Sequence, residues 1–542
     1  MTIHPTRRAL LGAGAALAMP AVGASAQGGA AQGGAGGAER NLTVGIGGSV
    51  TSLDPHFFNA SPNNSLAMHV FDMLVQRDAA ARVSPGLAES WRAVEPTVWE
   101  FKLRRGVKWH DGRDFTADDV AFTVERAPNV PNSPGGFGGF LRAITRAEVV
   151  DPLTIRFHTA APHPLLPTEL ASVAIIARHA AGNATTADFN SGRAAIGTGP
   201  YKIAAYRPGD RTELVRNDDY WGGAEPWSRV SYRFMANDSS RAAALLAGDV
   251  DLIDQVPTSD LARMRGDNRV SIAEIGGLRL IYLFPDFSRE GPSPYVTDNA
   301  GTPLPRNPFR DLKVRQALSL AINREALCRQ IMQGTAQPTG QWLPPGSYSY
   351  NPEVTPPPFQ ADRARALLAE AGFPQGFRVT LHGPNDRYPN DAQTIQAIAQ
   401  MWTRVGVQTQ VDAQPWAAFS PRNARQEYAI RLVGWGSVTG EASYLLVNIL
   451  NTFDAAKRTG ASNNGRYSNP ALDTLTERAT AILDDGEREK ALQQAVKVAM
   501  DDLGIIPLFQ LTNVWASKRG ITYEPRADER TVAMGTRPAV MR

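Results

Sequence analysis

Leu432-Val433-Gly434-Trp435-Gly436-Ser437-Val438-Thr439-Gly440-Glu441-Ala442-Ser443-Tyr444-Leu445-Leu446 begins as an apolar, strand-like run and then breaks at three glycines. Trp435, Ser437, Thr439, Glu441 and Tyr444 therefore fall on or beside irregular backbone. A strand that dissolves into a glycine-rich segment is where a rigid sheet presents side chains to a ligand. A buried Trp beside an ordinary turn is the plainer reading of the same residues. The segments around it decide between the two.

Upstream, Phe377 to Leu381 reads as a strand, Asp391 to Arg404 as a helix stopped by Gly406, and Val407 to Val411 as a second strand. A strand, helix and strand of this length imply a parallel pair with a right-handed crossover. Tyr428 to Gly434 then becomes the next strand of that sheet, with Trp435 leaving its C-terminal end, where open α/β sheets hold ligands. Downstream come two helices, near Pro470 to Leu483 and Gly486 to Leu503, and a late strand, Ile505 to Leu511, ahead of Trp515. A long amphipathic helix is expected from Asp311 to Gln330, carrying Cys328 as a small buried residue.

The N-terminal half shows a different texture. Leu42, Val44 and Ile46 alternate into an irregular loop, followed by Ser52-Leu53-Asp54-Pro55-His56-Phe57-Phe58-Asn59, whose aromatics serve as a core plug or a pocket wall. Helical spacing covers Ser65 to Val75. Val98 to Leu103 alternates as a strand, and Thr116 with Asp119 forms a capping box. Asp151-Pro152 turns a hairpin. Pro131 to Phe140, PNSPGGFGGF, reads as an exposed loop or lip.

Residues 1–26 carry Arg7 and Arg8, an apolar run from Ala9 to Val22 and the small-residue site Ala24-Ser25-Ala26, the layout of an export signal. The two arginines give it a possible twin-arginine character. Residues 27–40 read as a flexible leader. A soluble, exported, periplasmic chain with cleavage near Ala26 is expected. Loss of the two arginines takes the net charge of +3 to +1, so nothing in the charge calls for nucleic acid or anionic lipid. Cys328 is the single cysteine among 542 residues, which excludes an internal disulfide and leaves stability to a large core of two or three lobes.

No G-x-S-x-G elbow, H-E-x-x-H or phosphate-binding loop is present, so a hydrolase has no motif to rest on. His56, His69 and Asp72 permit a metal site without calling for one. No enzyme activity, cofactor or resident metal is expected.

Several short strings then line up together: Ser52-Leu53-Asp54-Pro55; Pro85-Gly86-Leu87-Ala88-Glu89-Ser90-Trp91; Phe101 to Gly112, FKLRRGVKWHDG; Phe115-Thr116-Ala117-Asp118-Asp119-Val120; Gly197-Thr198-Gly199-Pro200-Tyr201; Asn217-Asp218-Asp219-Tyr220-Trp221; Gly248-Asp249-Val250-Asp251; and Val314-Arg315-Gln316-Ala317-Leu318 with Ala321-Ile322-Asn323-Arg324. This ordered set, spread from about residue 42 to about 516, resembles the large extracytoplasmic solute-binding proteins of ABC importers that handle oligopeptides, dipeptides and nickel chelates. The resemblance implies an α/β fold, a two-lobed clamp with an additional subdomain. Lobe I would draw on 41–57, 196–283 and 510–542, the subdomain on 58–195 and lobe II on 284–509. A peptide-like or other small polar solute would lie between the lobes and pass to an ABC permease, the protein acting as a monomer. Carbohydrate or metal-chelate binding, a secreted hydrolase, and a periplasmic chaperone or sensor role are the alternatives.

The resemblance also implies that the Gly434-Trp435 segment faces the residues after Asp54-Pro55 across the cleft. Trp435 would stack on the ligand, Ser437 and Thr439 would offer hydrogen bonds, and Glu441 would meet a positive group. Tyr444, His56, Phe57, Phe58, Asn59, Tyr388, Trp416 and Trp515 complete the candidate wall. In peptide-binding members a carboxylate shortly after the Gly-Trp pairs with the ligand's amino terminus; Val438 stands there in this chain. Thr439 stands where nickel-chelate binders have a Tyr. Neither specificity carries over intact.

Overall fold

The computed structural model describes residues 40–539; the expected export signal and most of the leader lie outside them. The expected parallel unit is present. Phe377–Pro384 pairs in parallel with Val407–Gln414, Phe377 opposite Val407, and the helix Asp391–Arg404 crosses between them. Ile430–Gly436 joins the same sheet beside Phe377–Pro384, Leu381 opposite Ile430. Its other edge runs antiparallel to Val270–Pro285, which puts Trp435 opposite Leu280.

Val270–Pro285 and Ile506–Lys518 are the longest strands of a 12-stranded sheet and pair with each other over most of their length. On one side of them lie Ile430–Gly436, Phe377–Pro384 and Val296–Thr297. On the other lie Leu252–Ile253, Asn41–Ile46, Arg229–Phe234, Arg211–Arg216 and Tyr201–Arg207. Each side has its own apolar core. One is built around Phe309, Phe377, Ile398 and Trp402, the other around Val44, Phe71, Tyr201 and Tyr232. The long strands thus continue from one lobe into the other, the arrangement of a two-lobed clamp.

A separate four-stranded antiparallel sheet, in the order Ala88–Glu95, Val98–Leu103, Thr154–Thr159, Ile144–Asp151, carries a third core with Phe101, Trp109 and Phe157. The capping box holds: Asp119 Oδ2 accepts from the Thr116 N–H at 3.0 Å, and Asp119 also accepts from Trp109 Nε1 and the Arg178 N–H. Asp72 ties this subdomain to the next lobe. Its buried carboxylate accepts from Trp221 Nε1 at 2.8 Å, Thr198 Oγ1 at 2.9 Å and Tyr220 Oη at 3.1 Å. The Gly-Thr-Gly-Pro-Tyr string is therefore architectural. A Cβ at Gly197 or Gly199 would run into the Val70 backbone, so the close approach requires glycine.

Three expectations need correction. The helix expected over 311–330 is interrupted: Leu312–Leu320 ends, and Asn323 caps a new start by accepting from the Ala326 N–H at 2.9 Å. An Asn side chain that offers itself to the backbone competes with helix continuation. The loop at 131–140 is not wholly exposed, because Phe137 is buried against the subdomain core. The late strand runs on through Trp515 to Lys518, and its alternation turns Trp515 into the core.

Candidate functional site

The segment 434–444 borders one cavity, and a second lies beyond Tyr388, which covers Gly434. The larger, about 870 Å³, is bordered by Asn59, Phe140, Arg142, Thr439, Tyr444 and Asn451 among others. The smaller, about 650 Å³, lies against Ser61, Asp254, Arg279, Arg387, Tyr388 and Asn390. Asn59 borders the larger cavity together with Thr439 and Tyr444, and Ser61, two residues on, borders the smaller. Both volumes suit a ligand of a few residues' size.

Strand geometry sets what faces where. Trp435 points to the same face as Val433, and its ring stacks on Tyr444 with centroids 5.3 Å apart and planes 29° apart. Its indole Nε1 is shielded from solvent and has no hydrogen-bond partner. Gly434 faces the opposite side, where Tyr388 covers it and donates its hydroxyl to the Gly434 carbonyl at 3.2 Å. A Cβ at Gly434 would come within 2.8 Å of both Ile281 Cδ1 and Tyr388 Cε1, so this glycine is required by crowding. Burial raises the Tyr388 and Tyr444 hydroxyls above their ordinary range, so both stay protonated donors.

The turn after the strand is held by its own side chains. Ser437 Oγ accepts from the Gly440 N–H at 3.1 Å, and Gly440 sits at φ 72°. Ser437 is thus spent on the turn rather than on a ligand. Glu441 is spent as well: Oε2 meets Arg488 Nη1 at 2.5 Å, and Oε1 accepts from Ser443. Burial works against the Arg488 charge, but the Glu441 carboxylate more than reverses this and raises it. The expectation that Glu441 meets a ligand cation is corrected by this buried pair. The signal that could have exposed it lies 47 residues away at Arg488, beyond any local motif. Val438 is exposed and borders neither cavity.

Across the cleft the outcome is mixed. His56 is fully buried, with Nε2 on the Ala174 carbonyl at 2.8 Å and Nδ1 3.1 Å from Arg126. Burial, reinforced by the Arg126 charge, pushes its pKa down to about 4, so it is a neutral structural residue and not a ligand wall. Asp54 beside it takes Arg126 in a two-pronged bond at 2.7 and 2.6 Å. Burial pushes that carboxyl up, but Arg126 outweighs burial and holds it below the usual range. Phe57 and Phe58 are half-buried. Phe58 bridges to Gly135, and the Phe57 carbonyl accepts from Ser133 Oγ at 2.6 Å. The glycine-rich lip therefore docks on this segment and carries Gly136, Gly139 and Phe140 to the larger cavity.

Trp416 packs against Phe419 and Tyr388 with Arg387 over its ring, placing it behind the smaller cavity. Trp515 also borders that cavity; it is a core residue that donates Nε1 to Thr531 at 2.8 Å. Arg142, Asn451 and Thr476, all missed in the sequence, border the larger cavity. His69 and Asp72 have separate partners: the Ser65 carbonyl and the Ala533 N–H for the histidine, the three donors above for the aspartate. No group of His, Cys, Asp or Glu suited to a metal occurs among the described residues.

Two lobes joined by long crossing strands, with cavities against the segment between them, define a periplasmic binding protein of the large, two-lobed type. HbpA2 from Haemophilus parasuis superimposes with a TM-score of 0.80 at 26% identity, over 92% of this chain and all of that one. The unliganded open form of the murein tripeptide-binding protein MppA gives 0.78 at 21% identity, covering 93% and 98%. In sequence, heme-binding protein A of Haemophilus influenzae is 29% identical over 480 residues, 82% of each chain. The dipeptide-binding protein of Escherichia coli K12 is 27% identical over 485 residues, 84% of this chain and 86% of its own.

The family model for bacterial extracellular solute-binding proteins, family 5 Middle, matches residues 82–457, and the chain belongs to that family. It is a periplasmic solute-binding component of an ABC importer. Such proteins capture solutes and work with permeases; they are not enzymes. No helix among the described residues is long and apolar enough to cross a membrane.

Proposed function

We propose that the solute is seated along 434–444, opposite 57–61, with Trp435 and Tyr444 as its aromatic platform and Asn59 and Thr439 as hydrogen-bonding neighbours. The observation that carries this reading is the shielded, unpartnered Nε1 of Trp435, whose ring stacks on Tyr444 at the border of the larger cavity. A buried N–H without a partner costs free energy in the empty protein that a ligand acceptor recovers. Tyr388 and Arg387 close the other end. The lobes are taken as 41–57, 196–283 and 510–542 against 284–509, with 58–195 as the subdomain that carries the lip. Closure about the two long strands would bring these walls together. The chain acts as a monomer, without catalysis, after export and cleavage near Ala26.

The solute class is peptide-like. Relatives include dipeptide-binding and glutathione-binding proteins. In this chain Val438 and the Glu441–Arg488 pair leave no carboxylate on the 437–441 turn for a ligand amine, so the amine contributes little to capture. Mass spectrometry of small molecules released on denaturing freshly purified protein tests the reading. A reproducible one-to-one polar molecule, lost in Trp435→Ala protein that still melts cooperatively, supports it. Undiminished retention in that variant removes Trp435 from the site.

A further inference from the structure

Three side chains bordering the larger cavity share one property. Thr439 Oγ1, Asn451 Oδ1 and Thr476 Oγ1 are all shielded from solvent and lack hydrogen-bond partners. The residues are 5%, 5% and 1% exposed. They come from separate elements: the turn after Ile430–Gly436, the end of the helical turn Leu446–Leu450, and the helix Pro470–Ala479. Three orphaned polar atoms on residues that border one space is far from the ordinary condition of buried groups.

The carboxylates around the same space are occupied, while the exposed Arg142 on its border has no ion-pair partner among the described residues. Glu169 pairs with His163 at 2.7 Å, Asp473 accepts from Thr452 Oγ1 and its N–H, Asp454 caps two backbone N–H groups, and Glu477 pairs with Lys457. No bordering carboxylate is left for a cation. Asn451 Oδ1 can only accept, so its partner must bring an N–H or O–H; the two threonine hydroxyls can donate or accept. Tyr444, Phe140 and Phe453 add ring surface.

The geometry points to a specificity subsite formed by Thr439, Asn451 and Thr476 that takes an uncharged, hydrogen-bonding group of the solute, a primary amide or a hydroxyl. It rests on the seat proposed above and names what one end of that seat selects. A site built to hydrogen-bond such a group discriminates strongly against an isostere lacking it, because the buried partners are then left unpaired.

The test uses full-length protein and trialanine peptides carrying Gln, Met, Glu or Lys at one position, titrated by tryptophan fluorescence and calorimetry. Gln peptides are expected to bind at least tenfold tighter than Met or Lys peptides. Thr439→Val and Thr476→Val are expected to reduce that preference below threefold, and Thr476→Val, which lies outside the seat, to leave trialanine affinity and the unliganded melting temperature no lower than wild type. Equal affinity for Gln and Met, or a preference unmoved by both valine variants, overturns the subsite. If trialanine binding is lost in Trp435→Ala yet no Gln preference exists, the seat stands and only the subsite falls. A co-purified molecule without an amide or hydroxyl group also overturns it. If the protein retains no small molecule and binds no peptide of the panel, seat and subsite fall together.

Discussion

Glu441→Gln separates a ligand anchor from a structural ion pair. Glu441 and Arg488 side chains are 5% and 6% exposed and 2.5 Å apart, so solvent screens the pair little. Removing one partner of a buried pair leaves an uncompensated charge and costs about 3–5 kcal/mol. Arg488 keeps an exposed Asp485 at 3.3 Å and stacks over Tyr348 at 4.8 Å, which places the loss at the lower end, about 3 kcal/mol. At about 2 °C per kcal/mol for a domain of a few hundred residues, the melting temperature falls by roughly 6 °C. Replacing both residues, Glu441→Leu with Arg488→Leu, restores much of that stability, since buried pairs exchange for apolar side chains at little net cost. The assay is differential scanning calorimetry beside peptide titration at neutral pH. The reasoning is refuted if Glu441→Gln melts like wild type and loses affinity selectively for ligands with a free amine.

The remaining expectations are shorter. Gly434→Ala forces a methyl against Ile281 and Tyr388; overpacking of this kind costs about 1–3 kcal/mol, and urea unfolding should show it together with a weakened Tyr388 contact in the near-ultraviolet spectrum. Trp435→Ala is expected to weaken capture by roughly tenfold or more, about 1.4 kcal/mol, by titration, with cooperative melting retained. His56 and His69 are buried neutral, each lowered by burial from 6.5 to about 4. Their depressed values mean that the stability they confer is complete above pH 6.5 and is lost as pH falls toward 4. Near pH 5 the two together give a slope of about 2.4 kcal/mol per pH unit, stability rising with pH. Denaturant titrations at pH 7, 6 and 5 check this, and a flat profile over that range contradicts the buried neutral assignment.

Local pattern was enough for the strand, helix and strand at 377–411, the next strand at 430, the hairpin at Asp151-Pro152 and the Thr116 capping box, because each is decided by spacing within a few residues. The same holds for the ordered strings that place the chain in its family, and for the glycine-broken end of the strand at Trp435. Partner choice across long separations was not legible. Whether Glu441 faces a ligand or Arg488, whether His56 lines a cleft or fills a core, and whether Trp515 ends a strand or continues it depend on residues 47, 70 and more positions away. Nor does periodicity reveal which hydroxyls remain unpartnered, as with Thr439 and Thr476. The physical reason is that side-chain patterning sets which face of an element is buried, whereas hydrogen bonding and charge compensation are settled only when separate elements meet. The sequence therefore determined the clamp and the position of its glycine-broken segment, and the tertiary structure decided which of that segment's polar groups find partners.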